Sequence, residues 1–326
     1  MIAVTGASGF VGRHLCEFLA AKPNGERVRI LTRAPGKVPR FGPSVEIFSG
    51  SLEDEAAVRA FVAGAGTVVN LATAAGSARD DEARMREVDV NGTARLFAAA
   101  VAEGCSAFLH VSTAGVYGQP RLAPPAAESD TVDPVTAYQR TKYAGEQALL
   151  GAGAGATILN ILRPADLYGS GSRVHVGSYR KVLQSRWSYE LPGDILLHPT
   201  HVLDLVRAID ALIERPAPHG SVFNIAGERP VREHDLYAIA AEVLGVDRRR
   251  IVWPALLAAP YAAVRAKIAH AKGRAKPMLA AMGRGVVFNT AVDDRRFRES
   301  YPDVPVMPLR EGVEEHIAWA RAHGLL

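Results

Sequence analysis

Ile2-Ala3-Val4-Thr5-Gly6-Ala7-Ser8-Gly9-Phe10-Val11-Gly12 stands at the N-terminus of this 326-residue chain. An apolar run followed by glycines three residues apart reads as a strand, a tight turn and the first turn of a helix. Gly6 permits a turn that a Cβ would obstruct, and Gly9 lets a pyrophosphate approach the backbone. Gly12 lets the new helix pack closely on the strand. The N–H groups and positive end of a helix that starts here favour an anion. Gly6, Ser8, Gly9, Phe10, Val11 and Gly12 are therefore expected to hold a dinucleotide.

A second pattern lies 132 residues beyond Gly6, where Tyr138 and Lys142 form a Tyr-x-x-x-Lys pair. Residues four apart are neighbours on a helix, so a phenol and an ammonium share one face. A cation there stabilises phenolate and is expected to bring its proton exchange from ~10 towards neutral pH. A dinucleotide site beside an activated phenol implies hydride transfer at a carbon that bears oxygen.

The first half of the chain alternates strand-like and helix-like runs. Strands are read near 1–5, 27–32, 44–48, 67–72, 107–112 and 157–162, with helices near 10–22, 53–64, 80–104 and 135–151. Such alternation predicts an α/β fold, a Rossmann-type doubly wound parallel sheet. Pro164–Pro199 reads as loop-rich with one helix, His201–Glu214 as an amphipathic helix, Val222–Ile225 as a strand and Val231–Leu244 as a helix. The remainder reads as mostly helical, with breaks at Pro254, Pro260 and Pro277. A dinucleotide-binding domain over 1–165, with returning segments near 200–227, and a smaller, mostly helical substrate lobe over 166–199 and 228–326 are expected.

Strand ends carry the remaining site assignments, because ligands bind at the carboxyl edge of such sheets. The second strand closes Arg29-Ile30-Leu31-Thr32-Arg33 with no acid at its tip. Arg33 therefore predicts NADP, with NAD as the alternative. Ser51 and Leu52 follow the third strand, beside the expected adenine; Leu71, Ala72 and Thr73 follow the fourth, along the cofactor. The fifth strand runs through Val111 to Ser112 and Thr113. Thr113 is expected to hydrogen-bond the reacting oxygen, with Ser112 as runner-up.

The chain resembles the extended short-chain dehydrogenase/reductase family, also called the NAD-dependent epimerase/dehydratase family. The resemblance rests on Thr5–Gly12, Asn70–Ala72, Val90-Asn91-Gly92-Thr93, Ser112–Gly118, Tyr138–Lys142, Leu162-Arg163-Pro164, Leu167-Tyr168-Gly169, His201–Leu205 and Phe223–Gly227. It implies that Tyr138 is the catalytic acid/base and that Thr113 orients substrate. Lys142 would bind the nicotinamide ribose and lower the tyrosine pKa. Asn91, Val111 and Pro164 join the cofactor set by the same resemblance, and a homodimer through the helices near 80–104 and 135–151 is implied. Family dehydratases carry carboxyl groups where this chain has Ala114 and Gly115, which disfavours dehydration. Nucleotide-sugar epimerases often place an asparagine where Asp166 stands and an arginine on the pyrophosphate where Leu197 stands.

Composition bounds the rest. Hydrophobic residues make up 48% and charged residues 22%, an ordinary globular balance, and no apolar run approaches the ~20 residues that span a bilayer. No signal peptide is read, Cys16 and Cys105 fall in apolar helical patterns, and a cytoplasmic location is expected. Between Val246 and Gly285 nine basic residues stand against Asp247 alone, in a chain whose net charge is +4. That segment suits a solvated face, a phosphate-bearing substrate or an anionic membrane surface. Aromatic residues are not interleaved with its charges, so no nucleic-acid partner is expected. His198 and His201 read as helix-start residues, and no metal is expected.

The expected function is an NAD(P)-dependent oxidoreductase acting at a secondary alcohol or ketone of a small molecule, a sugar or nucleotide-sugar epimerase or ketoreductase. Reduction of a hydrophobic steroid-, flavonoid- or hopanoid-type ketone is the alternative, and a non-catalytic cofactor sensor is the different-class reading.

Overall fold

The computed structural model describes all residues except 24–25, 40, 75–80, 119–121, 186, 191–192, 272–281 and 283–285. Its first half runs β1 (Ile2–Thr5), α1 (Phe10–Ala20), β2 (Val28–Thr32), β3 (Val45–Ser49), α2 (Glu55–Val62), β4 (Thr67–Asn70) and α3 (Glu82–Arg86). A π-helical turn, Glu87–Gly92, joins α3 to α4 (Thr93–Ala102), and β5 (Ala107–Val111), α5 (Ala137–Leu150) and β6 (Ile158–Pro164) follow. The second half holds β7 (Asp166–Tyr168), α6 (Val176–Gln184), β8 (Trp187–Glu190), β9 (Ile195–Leu197), β10 (Pro199–His201), α7 (Val202–Glu214) and β11 (Ser221–Ile225). Then come β12 (Val231–Arg232), α8 (Glu233–Leu244), β13 (Arg249–Val252), α9 (Ala255–Ala271), β14 (Phe288–Asn289), α10 (Arg295–Ser300) and α11 (Leu309–Ala322).

Seven strands make one all-parallel sheet in the order β11-β6-β5-β4-β1-β2-β3. Period-two alternation sorts their side chains between two cores. Ile2, Val4, Leu109 and Val111 pack with Leu15, Leu19, Val206 and Leu212 of α1 and α7. Ala3 and Phe108 face the other way, onto Phe61, Leu96, Phe97 and Leu149 of α2, α4 and α5. Covering both faces explains why these strands are nearly continuously apolar. In α7 the buried Val202, Leu205, Val206, Ile209 and Leu212 repeat at helical spacing.

A smaller, mostly helical region has a core of its own, where Tyr179 and Val182 of α6 meet Leu236 of α8 and Val313 and Ile317 of α11. Three small sheets, β7–β10, β12-β9-β14 and β8–β13, connect it. The sequence reading missed most of these because two to four residues are too few to display a period. The expected helix from Val231 starts instead at Glu233, since Val231 pairs with Leu197 in β12. The expected break at Pro260 is corrected as well: α9 runs through it. A proline removes one N–H donor, and the alanine-rich flanks sustain the remaining helix. Pro277 lies outside the described residues.

Three buried histidines and the half-buried His175 give the fold a pH dependence. Burial holds His110 well below the ordinary ~6.5, lowers His316, and takes His175 and His198 down to about 4. Each is neutral in the folded state and charged in acid when unfolded. The unfolded chain therefore binds more protons below ~6.5, and stability is lost as pH falls through that value towards about 4. Thermal melts are expected to be level above neutrality and to drop steadily below it, with His198→Gln reducing the slope. A melting temperature unchanged across that window would refute neutral burial.

Candidate active site

A cleft of about 490 Å³ opens at the carboxyl ends of β1 to β4, where the strand order reverses. Its wall includes Gly6, Ser8, Gly9, Arg33, Ser51, Leu52, Leu71, Ala72 and Thr73 from the sequence reading. Gly6 has φ +73°, and a Cβ there would stand 2.7 Å from the Leu71 carbonyl carbon. At Gly12 a Cβ would come within 2.2 Å of the Gly6 carbonyl oxygen. Both positions need glycine to fold the turn back against α1. Gly9 starts α1 with no side-chain cap, leaving its terminus to an incoming anion. This cradle fits a dinucleotide.

The other proposed cofactor residues take different places. Phe10 meets His14 edge-on at 5.5 Å, and Val11 packs against the core. Pro164 is buried at the end of β6, opposite Ile225. Asn91 is exposed and donates to Glu87 at 2.6 Å, away from the cleft wall. The π-turn sends Val88 to the cleft and buries Asp89, so the exposed Asn91 falls on the outer side. The sequence reading also missed Arg84, which pairs with Glu53 at 2.5 Å on the wall. No motif surrounds Arg84, so only the fold reveals it.

Asn70 fastens the edge on which this cleft is built. Fully buried at the end of β4, it accepts from the Thr5 hydroxyl at 2.6 Å and donates to that of Thr93 at 3.0 Å. Its amide nitrogen also lies 3.2 Å from His110 Nδ1, and burial keeps that imidazole neutral.

Tyr138 and Lys142 lie one turn apart on α5. Thr136 and Gln139 close a capping box at the start of this helix and set its phase. Thr113, just after β5, accepts from the Gly115 N–H at 3.1 Å and hydrogen-bonds the Tyr138 phenol. Thr113 rather than Ser112 thus meets the phenol; the Ser112 hydroxyl is buried without a hydrogen-bond partner.

The electrostatics correct one expectation. Burial pushes the Tyr138 phenol up to about 12, the charge of Asp89 acts in the same direction, and the Thr113 hydrogen bond opposes both. Lys142 is not among the groups that perturb it. The lysine is 2% exposed and donates from Nζ to the Val111 carbonyl at 2.7 Å. Burial lowers its pKa, while Asp89 and Glu146 act to keep it charged. The Tyr138 phenol consequently keeps its proton at neutral pH. Asp89 has no exposure; its two oxygens accept from the Ala74 N–H at 3.3 Å and the Thr141 hydroxyl at 3.2 Å.

Two further assignments change in context. Asp166 is half-buried and accepts from the Thr290 hydroxyl at 2.9 Å, and desolvation raises its pKa, so it acts as a strand fastening. His198 lies 3.1 Å from the Val292 carbonyl and His201 lies 3.2 Å from Glu315. His201 caps the start of α7, as the helix-start reading expects, closing a capping box with Asp204, whereas His198 stands between β9 and β10 and starts no helix.

Residues 2–226 match the model of the NAD dependent epimerase/dehydratase family. A dTDP-4-dehydrorhamnose reductase of Mycolicibacterium smegmatis is 32% identical over 254 residues, 77% of this chain and 71% of that protein. A dTDP-4-keto-6-deoxy-D-glucose reductase of Streptomyces niveus is 31% identical over 257 residues, 76% of this chain and 80% of its own length. Among solved structures, MoeE5 in complex with UDP-glucuronic acid and NAD superposes with a TM-score of 0.74 at 25% identity, covering 99% of each chain.

The MoeE5 complexes contain NAD, with UDP-glucuronic acid in one and UDP-glucose in the other, and they overturn the NADP reading of Arg33. A guanidinium plane can stack on a base as well as bind a phosphate, so an arginine at the β2 end does not define a 2′-phosphate site.

Substituting Gly12→Ala forces a Cβ into the Gly6 carbonyl. Dinucleotide affinity measured by fluorescence titration should fall by about 100-fold, whereas Gly9→Ala, with 3.2 Å to the same oxygen, should cost less. Equal affinities in the two variants would refute the proposed cradle.

Proposed function

Because the chain belongs to the NAD dependent epimerase/dehydratase family, we propose that it uses NADH to reduce a ketone on the sugar of a nucleotide-sugar. The observation that carries this reading is the protonated Tyr138 phenol, hydrogen-bonded to Thr113 and packed against the cluster of Ala74, a residue of the cleft wall. The similarity to two reductases of dTDP-linked keto sugars supports the choice of substrate class.

The cradle of Gly6, Ser8 and Gly9 would take the pyrophosphate, with Ser51 and Leu52 at the adenine end and Leu71 to Thr73 along the strand edge. Bound there, the nicotinamide supplies hydride chemistry. Thr113 orients the carbonyl oxygen by hydrogen bonding, and Tyr138 gives its proton to that oxygen as negative charge develops. Lys142, tied to the Val111 carbonyl one helical turn from Tyr138, would hold the nicotinamide ribose. Asp166, held by the Thr290 hydroxyl, would not confront the substrate's phosphates as a free surface charge.

An epimerase is the second reading, favoured by MoeE5, whose structures hold NAD and a UDP-sugar together. The same residues would then work in both directions on a cofactor that stays bound.

Tyr138→Phe is expected to lower kcat for NADH-dependent reduction of a dTDP-4-keto-6-deoxy sugar by about 1,000-fold, with NADH affinity nearly unchanged. The wild-type rate should stay level through neutral pH and fall only as the phenol ionises towards about 12. Retained turnover in the variant would remove Tyr138 from the chemistry. Interconversion of UDP-sugars with NAD retained and no net NADH consumption would decide for the epimerase.

A further inference from the structure

Two charged features stand apart from the surface ion pairs. The basic segment between Val246 and Gly285 includes Lys272, Arg274, Lys276 and Arg284, which lie outside the described residues. The other is a single carboxylate, Asp89, on the π-turn between α3 and α4. It has no exposure, and among the described residues no cation touches it. A buried charge without a cationic partner destabilises a fold, and such groups cluster at functional sites.

Asp89 is fixed from two directions. One oxygen accepts from the N–H of Ala74, a residue of the cleft wall, at 3.3 Å. The other accepts from the Thr141 hydroxyl at 3.2 Å. Thr141 lies between Tyr138 and Lys142 on α5, and its hydroxyl also stands 3.1 Å from the Tyr138 carbonyl. Helix α5 approaches the turn so closely that a Cβ at Gly145 would come within 2.5 Å of the Asp89 carbonyl oxygen. Both carboxylate oxygens are acceptors, the pattern of an ionised group.

Charges on the neighbouring elements are engaged elsewhere. On α5, Glu146 is held by Arg163 of β6 at 2.6 Å. On the π-turn itself, Glu87 accepts from Asn91 and pairs with Arg95 of α4 at 3.5 Å. On α3, Glu82 pairs with Arg140, Arg84 pairs with Glu53, and Arg86 is exposed. On β5, His110 is neutral, pushed down by burial and then by the charge of Lys142. Asp89 and Glu146 are the acids that keep the buried Lys142 ammonium charged, and of the two Asp89 has no ion pair of its own. The same carboxylate opposes ionisation of the Tyr138 phenol.

We propose that Asp89 is a positioning residue, its carboxylate serving as the buried counter-charge of Lys142 and fixing the turn of α5 that presents Tyr138, a role that rests on Tyr138 being the proton donor of the proposed reduction. Through it the phenol holds its proton until negative charge develops on the substrate oxygen, and the lysine stays charged in a dry interior.

NMR of the full chain with isotope-labelled tyrosine tests it, the Tyr138 resonance being the one lost in Tyr138→Phe. In the wild type that resonance should still report a neutral phenol at pH ~10, where a free tyrosine is half ionised. Asp89→Asn removes the charge and keeps the shape, and the proton affinity of the phenol should fall about tenfold. Asp89→Glu should restore most of it. Thr141→Val removes a hydrogen bond but leaves the carboxylate, so it should lower the melting temperature with the Tyr138 titration nearly unchanged. In NADH-dependent reduction the high-pH limb of kcat should move down with the phenol in Asp89→Asn. The titration needs neither substrate nor turnover, so it reads Asp89 separately from whether a dTDP-linked keto sugar is reduced. An unchanged titration in Asp89→Asn, an equal change in Thr141→Val, or a wild-type Tyr138 half ionised near neutral pH would overturn the proposal.

Discussion

A single amide, Asn70, ties together the point on which this structure turns. The sheet divides between β1 and β4, and a cleft at that division would widen if the two strand ends separated. Asn70 prevents this by holding β1 through Thr5 and the helix behind the sheet through Thr93, beside the neutral imidazole of His110 on β5. A side-chain network in a dry interior is strong when every member has a partner and costly when one is lost. The glycine turn then lies against Leu71 and Ala72, immediately after that amide. Strand ends, cradle and helix thus share one anchoring point.

From this anchor the chemistry follows the direction of the strands. Strand β5 delivers Thr113, and the capping box of α5 sets the angle at which Tyr138 meets it. Burial on this scale opposes ionisation of the phenol, and the adjacent Asp89 carboxylate reinforces it. The charge of Lys142 is engaged with a backbone carbonyl. The balance leaves the phenol protonated, the state in which the proposed reduction would use it. A similar logic governs Arg163 and Glu146 behind the site. Their buried pair at 2.6 Å is completed by Tyr117, whose hydroxyl accepts from Arg163 and donates to Asn224. Isolated charges at that depth would be destabilising, whereas this network satisfies them.

The C-terminal region obeys a different constraint. Its aromatic and aliphatic core around Tyr168, Tyr179 and Val313 is conventional, but the small sheets that attach it are held by only a few residues each. Local propensity is weak over such lengths, and pairing with distant chain creates the strands. The same region carries α9, whose buried Ala258 and Ala262 allow close packing.

Much of the architecture was legible in the order of residues, and the reason is periodicity. Apolar strands alternating with helical patterns predict a parallel sheet, and glycines three apart after the first strand predict the cradle. The four-residue spacing of Tyr138 and Lys142 places them on one face before any coordinates exist. What depends on distance through space was not legible. The protonated state of Tyr138 comes from its enclosure and from Asp89, 49 residues earlier in the chain. The outward placement of Asn91 comes from a π-turn, and Arg84 reaches the cleft wall through its pair with Glu53, 31 residues earlier in the chain. The sequence by itself determined the strands of the parallel sheet, their crossover helices and which side chains share a helix face, since these follow from local repeat. Only the tertiary structure decided what charge those side chains carry and which surfaces stay uncovered, because desolvation and electrostatic pairing arise between segments far apart in the chain.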